Sequence, residues 1–343
     1  MVGALESRAS NRSEGAGQLM NAMIFMALAA GLTSALMFAS IISGALFSLL
    51  LCYLAPLPLL VAAIGWGPLC AAAGGAVAAA ALAAVFGLSY GFAFALTVAL
   101  PAWWLGHLAL LGRPIAGGAP SSGDDSSDEP ELEWYPVGRI LLWVAGFAAL
   151  SIVAALFTLG TDAASITGVL HRGWQRFFVK YGVALNEDVE HVIDMLTAIV
   201  PAVGVTVAQT MLTLNLWLAV KVTETSGLLR RPWPDLRGTT LPPMTLAALC
   251  VAIAFCFVGG FLAILAGIVT AALMMAYAFV GFAVLHILTL RMRSRAFWLG
   301  MTYTIVVVFG WPILAIVALG LADALFDFRR RYRQGRPPPL PAS

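Results

Sequence analysis

The chain has 343 residues, of which 61% are hydrophobic and only 10% are charged, and its formal net charge is +2. Soluble domains carry roughly 25% charged residues, so this composition excludes an ordinary soluble fold and predicts a protein whose first partner is the lipid bilayer. The basic residues are scattered at the ends of apolar segments and gather on no single face, which excludes nucleic acid as a partner.

The first part of the chain predicts four membrane-spanning helices. Residues 15–112 contain no Asp, Glu, Lys or Arg, which leaves room for about four helices of roughly 20 to 25 residues each. Their predicted bounds are 18–39, 41–64, 66–88 and 90–112, and together they form a predicted membrane unit over 18–112. Residues 1–17 carry mixed charge and are predicted to be a cytoplasmic segment before a retained first span, because the apolar run is longer than a signal-peptide core.

Small residues recur at four-residue spacing in two of these spans, and they form two stripes: Ala27, Gly31 and Ala35 in one, and Ala71, Gly75 and Ala79 in the other. Stripes of this kind let helix backbones approach closely. They predict tight helix contacts, either within the chain or with a protein partner.

Residues 113–138 are rich in Gly, Ser, Pro and acidic side chains, and they predict a solvated, disordered loop that could also recruit a protein partner. A second membrane unit is predicted over 139–328. Its elements are a fifth span at 140–159, an amphipathic helix lying in the membrane interface near 165–185, a sixth span at 192–220, and an uncharged hairpin of two spans over 244–290.

The last apolar stretch, 296–322, lies between two arginine clusters and leaves two topologies open. One kinked ninth span would place residues 329–343, a basic and proline-rich tail, outside the cell. A re-entrant pair of half-helices broken at Phe309–Pro312 would keep that tail in the cytoplasm, and this alternative puts sixteen of the nineteen basic residues inside. The positive-inside tendency favours the re-entrant form.

The predicted fold is therefore an all-α, polytopic membrane helical bundle with about eight spans and a proline-broken C-terminal segment, re-entrant or ninth. The predicted location is a bacterial cytoplasmic (inner) membrane, with both chain termini in the cytoplasm. The four cysteines lie in apolar stretches without metal-ligand spacing, which is typical of buried small hydrophobic residues.

Polar and aromatic residues inside the predicted spans are the candidate ligand contacts: Trp103, His107, Gln209, Asn215 and His286. Such groups tend to face the bundle interior or a cavity, although each can also serve as an interhelical hydrogen-bonding group or an interfacial anchor. No HExxH, Walker or GxSxG motif is present, so neither enzymatic activity, a metal site nor a cofactor is predicted.

Several short motifs resemble the YybS-like bacterial membrane family: "YLAPLPLL", "PAWWLGHL", "LNLWLAVKV" followed by "LPPM", and "GLADALFDFRRR". The resemblance covers residues 18–333, and that family has no established activity. The first four spans are also similar in style to the substrate-binding S components of energy-coupling-factor vitamin transporters, which is an analogy at the level of fold. This analogy implies a small-solute binding or transport component without its own energy source.

Two other classes of function stay open at this stage. A membrane scaffold could recruit envelope or division partners through the acidic loop or the small-residue stripes. An intramembrane enzyme acting on lipid is the weaker alternative, because no set of acid, base and nucleophile converges in the sequence.

Overall fold

The computed structural model describes residues 2–114 and 132–329. Its chain forms two compact units, one made of Met1–Tyr135 with Thr210–Pro232 and the other of Pro136–Gln209 with Trp233–Ser343. In the described ranges the secondary structure is almost entirely α-helical, which confirms the predicted helical class.

The first unit contains six helices and two short strands within its described residues, in this order: α1 Val2–Ala39, α2 Leu46–Leu54, α3 Pro56–Trp66, α4 Pro68–Phe86, α5 Leu88–Phe94, α6 Leu100–Ala109, β1 Gly112–Pro114 and β2 Leu132–Trp134. A π-helical stretch, Ala95–Ala99, joins α5 to α6. Residues 2–17, predicted as a separate segment, are the first part of α1. The second predicted span is interrupted after α2 because Pro56 and Pro58 lack the N–H groups that a continuous helix needs.

Both small-residue stripes make close contacts inside the first unit. The first stripe brings α1 against Gly74 of α4, whereas a Cβ atom added to Gly75 of the second stripe would collide with Ala99 of the π-helical stretch. A Cβ atom added to Gly31 would collide with the carbonyl of Gly74, and one added to Gly74 would collide with the carbonyl of Ala27. Ala27 and Ala35 are buried beside them. The prediction of tight helix contacts is therefore confirmed, and in the structure α4, not a protein partner, covers this face of α1.

The ends of the predicted disordered loop are ordered. Strands β1 and β2 pair antiparallel, with Arg113 opposite Glu133, and the Nε atom of Arg113 donates a hydrogen bond of 2.8 Å to that carboxylate. At these two ends the structure differs from the predicted disorder, because 113–114 and 132–134 pair as short strands. Residues 115–131 lie outside the described part of the chain.

The helices of the second unit are α7 Val137–Phe157, α8 Ala163–Lys180, the first part of α9 Glu187–Thr225, α10 Met244–Phe255, α11 Gly260–Leu288, α12 Arg295–Phe309 and α13 Ile313–Phe326. Helix α9 contributes its residues from Thr210 onward to the first unit. This one helix covers the whole of the predicted sixth span, and Pro201 lies in its interior without ending it.

Helix α8 is the predicted amphipathic helix. Asp162 begins it, since the Asp162 carboxylate accepts a hydrogen bond of 2.9 Å from the backbone N–H of Ser165. That hydrogen bond, with a second from the Ser165 hydroxyl, lowers the pKa of Asp162. Ile166 is the one buried side chain of α8, and it joins an apolar cluster with residues of α7, α9 and α11.

The predicted hairpin over 244–290 has two limbs of unequal length. Helix α10 has 12 residues, which corresponds to about 18 Å, whereas α11 has 29 residues and extends for about 44 Å. A bilayer core is about 30 Å thick, so α11 is long enough to cross it and α10 is not. The chain reverses between them at Gly259 and Gly260, both with positive φ.

Helix α13 lies antiparallel on α11. A Cβ atom on Gly281 would meet the carbonyl of Ile316, and one on Gly320 would meet the carbonyl of Tyr277. Residue numbers rise along one helix as they fall along the other, so α13 begins beside the C-terminal end of α11 and runs back along it. The two glycines let the backbones touch.

The predicted break at Phe309–Pro312 is confirmed, since α12 ends at Phe309 and Gly310 has φ 71°. The break lies elsewhere than the re-entrant prediction places it, which is at the tip of the segment, deep in the membrane. Tyr303 of α12 stacks on Phe282 near the C-terminal end of α11, with ring centroids 5.0 Å apart. The break therefore lies beside that same end of α11, because α12 and α13 both contact it.

Seven helical segments of the described chain are long and apolar enough to cross a membrane: Met20–Ser43, Leu46–Trp66, Pro68–Phe86, Leu88–Ala109, Val137–Phe157, Glu187–Thr225 and Gly260–Leu288. Helices α10, α12 and α13 are apolar but shorter. The architecture is that of a multi-pass helical membrane protein in which long spans are combined with half-length helices.

The contact between α11 and α13 predicts the effect of two glycine substitutions in one helix. Gly281→Ala should lower the unfolding temperature in detergent, because overpacking costs about 1–3 kcal/mol. Gly267→Ala is the matched control, since nothing lies within 4 Å of its added Cβ, and it should be neutral or stabilise by up to about 1 kcal/mol. Equal effects of the two substitutions would contradict the described packing.

Candidate functional site

The five residues predicted to contact a ligand are divided between the two units. Trp103, His107 and Asn215 belong to the first unit, whereas Gln209 and His286 belong to the second. The contacts of these side chains are described below for each unit.

Asn215 stabilises the interruption between α2 and α3. Its side chain is fully buried, and its amide nitrogen donates hydrogen bonds of 2.8 Å to the carbonyl of Tyr53 and 2.7 Å to that of Met211. The hydroxyl of Ser34, in α1, donates a hydrogen bond of 2.6 Å to the carbonyl of Ala55 at the same interruption. The amide nitrogen of Asn215 is therefore a hydrogen-bond donor at a broken helix, whereas its Oδ1 atom is buried without a partner among the described residues. The ligand contact stays a prediction.

The two histidines make local contacts. The ring of His107 lies 5.9 Å from that of Trp104, which in turn lies 5.7 Å from Trp103, so the three side chains form an aromatic row along α6. The Nδ1 atom of His286 lies 2.9 Å from the carbonyl oxygen of Phe282, one turn earlier in the same helix. Gln209 is fully buried in α9.

A buried ion pair that sequence reasoning missed lies at the end of α13. The Nε and Nη2 atoms of Arg329 both lie 2.7 Å from Oδ2 of Asp323, and the backbone N–H of Arg329 donates to Oδ1 of the same carboxylate at 3.1 Å. The side chains are only 8% and 3% exposed. The sequence places Arg329 at the start of a solvated tail, but here the chain turns at Asp327, with φ 52°, and folds Arg329 back onto the helix.

Arg329 also binds a loop of the second unit. Its Nη1 atom donates hydrogen bonds of 2.8 Å to the carbonyls of Arg237 and Thr239. These residues belong to the turn that precedes α10. One guanidinium thus joins the end of α13 to the approach to α10 and satisfies two carbonyls that no helix or strand pairs.

The two half-length helices meet end to end at this point. Both helices run antiparallel to α11. A short turn connects the end of α10 to the start of α11, and the glycine contacts described above give the direction of α13. The start of α10, the end of α13 and the middle of α11 all line one cavity, through Leu246, Ala324 and Tyr277 among other residues. The cavity therefore marks the junction between two half-helices laid along one long span.

This junction cavity has a volume of about 180 Å³. Its wall combines apolar and polar groups: Thr240, Leu241, Pro242, Pro243, Leu246, Tyr277, Val280, Asp323, Ala324, Asp327 and Arg329. Asp323 and Arg329 neutralise each other, whereas the carboxylate of Asp327 is exposed and has no hydrogen bond or ion pair within the described residues. The exposed Asp327 carboxylate can accept a hydrogen bond from, or form an ion pair with, a positively charged group in the cavity.

A second, smaller cavity of about 90 Å³ lies between α8, α9 and α11. Its wall is apolar except for two threonines, and the hydroxyl of Thr197 is buried without a hydrogen-bond partner in the part of the chain that the structure describes. The predicted ligand residues line neither of these two cavities.

Among the described residues, no group of three or more His, Cys, Asp or Glu side chains is arranged to hold a metal ion.

Comparison with family models, curated proteins and solved structures finds no match to this chain. The resemblance to the YybS-like family and to S components therefore stays a prediction. What the fold defines is the class of multi-pass helical membrane proteins.

The buried pair predicts a large cost when one partner is removed. Asp323→Ala should destabilise the folded protein by about 3–5 kcal/mol, because it leaves the Arg329 guanidinium buried without its carboxylate. Glu133→Ala is the matched control, since the Arg113–Glu133 pair is exposed and such pairs contribute about 0–1 kcal/mol. Chemical unfolding in detergent measures both, and equal losses would contradict a buried pair.

Proposed function

We propose that this is a multi-pass membrane protein that binds or moves a small, partly apolar solute and has no energy source of its own. The observation that carries the proposal is the cavity of about 180 Å³ at the junction of α13 and α10, with a buried ion pair in its wall. Charged residues among membrane helices are costly and mark functional sites by default.

The half-helix arrangement supports the same proposal. Many transporters build their solute sites from discontinuous helices, because helix ends present main-chain groups that a continuous helix keeps to itself. Here Asp323 and Ala324 at the C-terminal end of α13 line the cavity together with Asp327. A solute with a positively charged or hydrogen-bond-donating group and an apolar remainder fits this wall best.

The proposed topology places both termini and the loop over 226–243 in the cytoplasm of a bacterial cell, across its inner membrane. Six of the seven helices long enough to cross a membrane precede this loop, and an even number of crossings returns the chain to its starting side. Arg329 is bound to Arg237 and Thr239 in that loop, which supports a cytoplasmic C-terminus. The basic residues of the 226–243 loop follow the positive-inside tendency. The bacterial location rests on the family resemblance.

A ligand screen tests the proposal directly. Purified protein is heated with vitamins and metabolites sorted into cationic, neutral and anionic sets, and its unfolding temperature is recorded for each. A bound solute at a hundred times its dissociation constant stabilises the fold by about 2.7 kcal/mol. We expect hits among small cations and hydrogen-bond donors, and mass spectrometry of the purified protein should show the same class bound.

Two variants complete this screen. Asp327→Asn should abolish the shift caused by cationic compounds, while Asp188→Asn, which removes an exposed charge at the start of α9, should leave it unchanged. The proposal fails if no compound in the three sets shifts the unfolding temperature and no metabolite accompanies the protein.

A further inference from the structure

Helix α8 carries three basic side chains in a stripe that the solute site does not use. Arg172, Arg176 and Lys180 follow one another at four-residue spacing, which places them on one side of a helix with 3.6 residues per turn. All three are exposed. None of them forms an ion pair or hydrogen bond with another residue of the described chain.

Two acidic residues of α9, Glu190 and Asp194, contact a different side of α8 from the basic stripe. His171 lies 3.3 Å from the carboxylate of Glu190 and 3.2 Å from that of Asp194, and Gln175 donates a hydrogen bond of 2.9 Å to Glu190. These contacts attach α8 to the start of α9. They also fix the rotation of α8, so the basic stripe faces away from the carboxylates that could neutralise it.

An aromatic row lies beside the stripe. The rings of Trp174 and Phe177 are 5.8 Å apart, and those of Phe177 and Tyr181 are 4.8 Å apart. Phe177 is 48% exposed and Tyr181 is 68% exposed, although both are large and apolar. Aromatic rings of this kind settle at the level of lipid headgroups.

We propose that α8 binds the phosphate groups of anionic phospholipids through Arg172, Arg176 and Lys180, while Phe177 and Tyr181 enter the adjoining acyl region. The charges are complementary, since three unpaired cations face outward beside an aromatic surface that is suited to the bilayer boundary. Ile166 anchors the start of the helix in the apolar cluster of the second unit, so the helix lies on the protein and presents a preformed lipid site. This inference is independent of the solute site.

Native mass spectrometry tests the lipid site. The full chain is purified in mild detergent, mixed with equal amounts of phosphatidylglycerol and phosphatidylcholine, and the retained lipids are counted. We expect phosphatidylglycerol to be enriched, and each cation replaced by Gln should weaken its binding about fivefold. The triple variant R172Q/R176Q/K180Q should therefore lose the enrichment.

The matched control removes the same number of charges elsewhere. Arg230, Arg237 and Arg293 are also exposed, and R230Q/R237Q/R293Q should keep the enrichment. A second variant, F177A/Y181A, should weaken retention of both lipids, since it removes the apolar part of the site and leaves the charges in place. Circular dichroism of each variant checks that its helices are intact.

Three results would overturn the proposal. The first is an unchanged enrichment in R172Q/R176Q/K180Q, and the second is an equal loss in the control. The third is complete displacement of phosphatidylglycerol by millimolar inorganic phosphate, which would assign the stripe to a free anion and not to a lipid.

Discussion

Hydrocarbon offers no hydrogen bonds, so every interruption of a membrane helix must be satisfied by the protein itself. This constraint explains the positions of Ser34, Asn215 and Arg329. At the break between α2 and α3, Ser34 and Asn215 donate to the carbonyls of Ala55 and Tyr53. At the junction of α13 and α10, Arg329 donates to the carbonyls of Arg237 and Thr239, and Asp323 neutralises its charge.

At the junction, the contacts that stabilise the helix ends also surround the cavity of the proposed solute site. Two half-length helices packed along α11 leave a gap near their ends. The buried ion pair and the hydrogen bonds of Arg329 to two carbonyls hold the surrounding backbone in place. The gap is about 180 Å³ in volume, and its unpaired carboxylate belongs to Asp327, the residue whose left-handed backbone turns the chain back. The same turn therefore places Arg329 in its hydrogen bonds and Asp327 at the wall of the proposed solute site.

Much of the fold could be predicted from local patterns. The uncharged stretches predict the long helices, the alternation of basic and aromatic residues predicts α8, and Gly310 with Pro312 predicts the break in the last segment. The carbonyl contacts of Arg329 could not be predicted, because Arg329 and these partners lie about ninety positions apart in sequence and meet only after the helices pack. The ion pair with Asp323 is local, but it depends on a left-handed turn at Asp327, where the sequence has no glycine to mark it. Polarity within a span marked Asn215 as a candidate ligand contact, but polarity alone does not distinguish a ligand contact from a helix-break donor.

Arg329 holds the end of α13 against the turn before α10, and under the proposed topology both lie on the cytoplasmic side. Cysteines introduced by Gly238→Cys, Phe328→Cys and, as the outside reference, Gly182→Cys test it in a chain without its native cysteines, using a maleimide that cannot cross membranes. The account predicts that positions 238 and 328 react only in inverted vesicles and position 182 only in intact cells. Labelling of position 328 from outside the cell, with position 238 protected there, would contradict it.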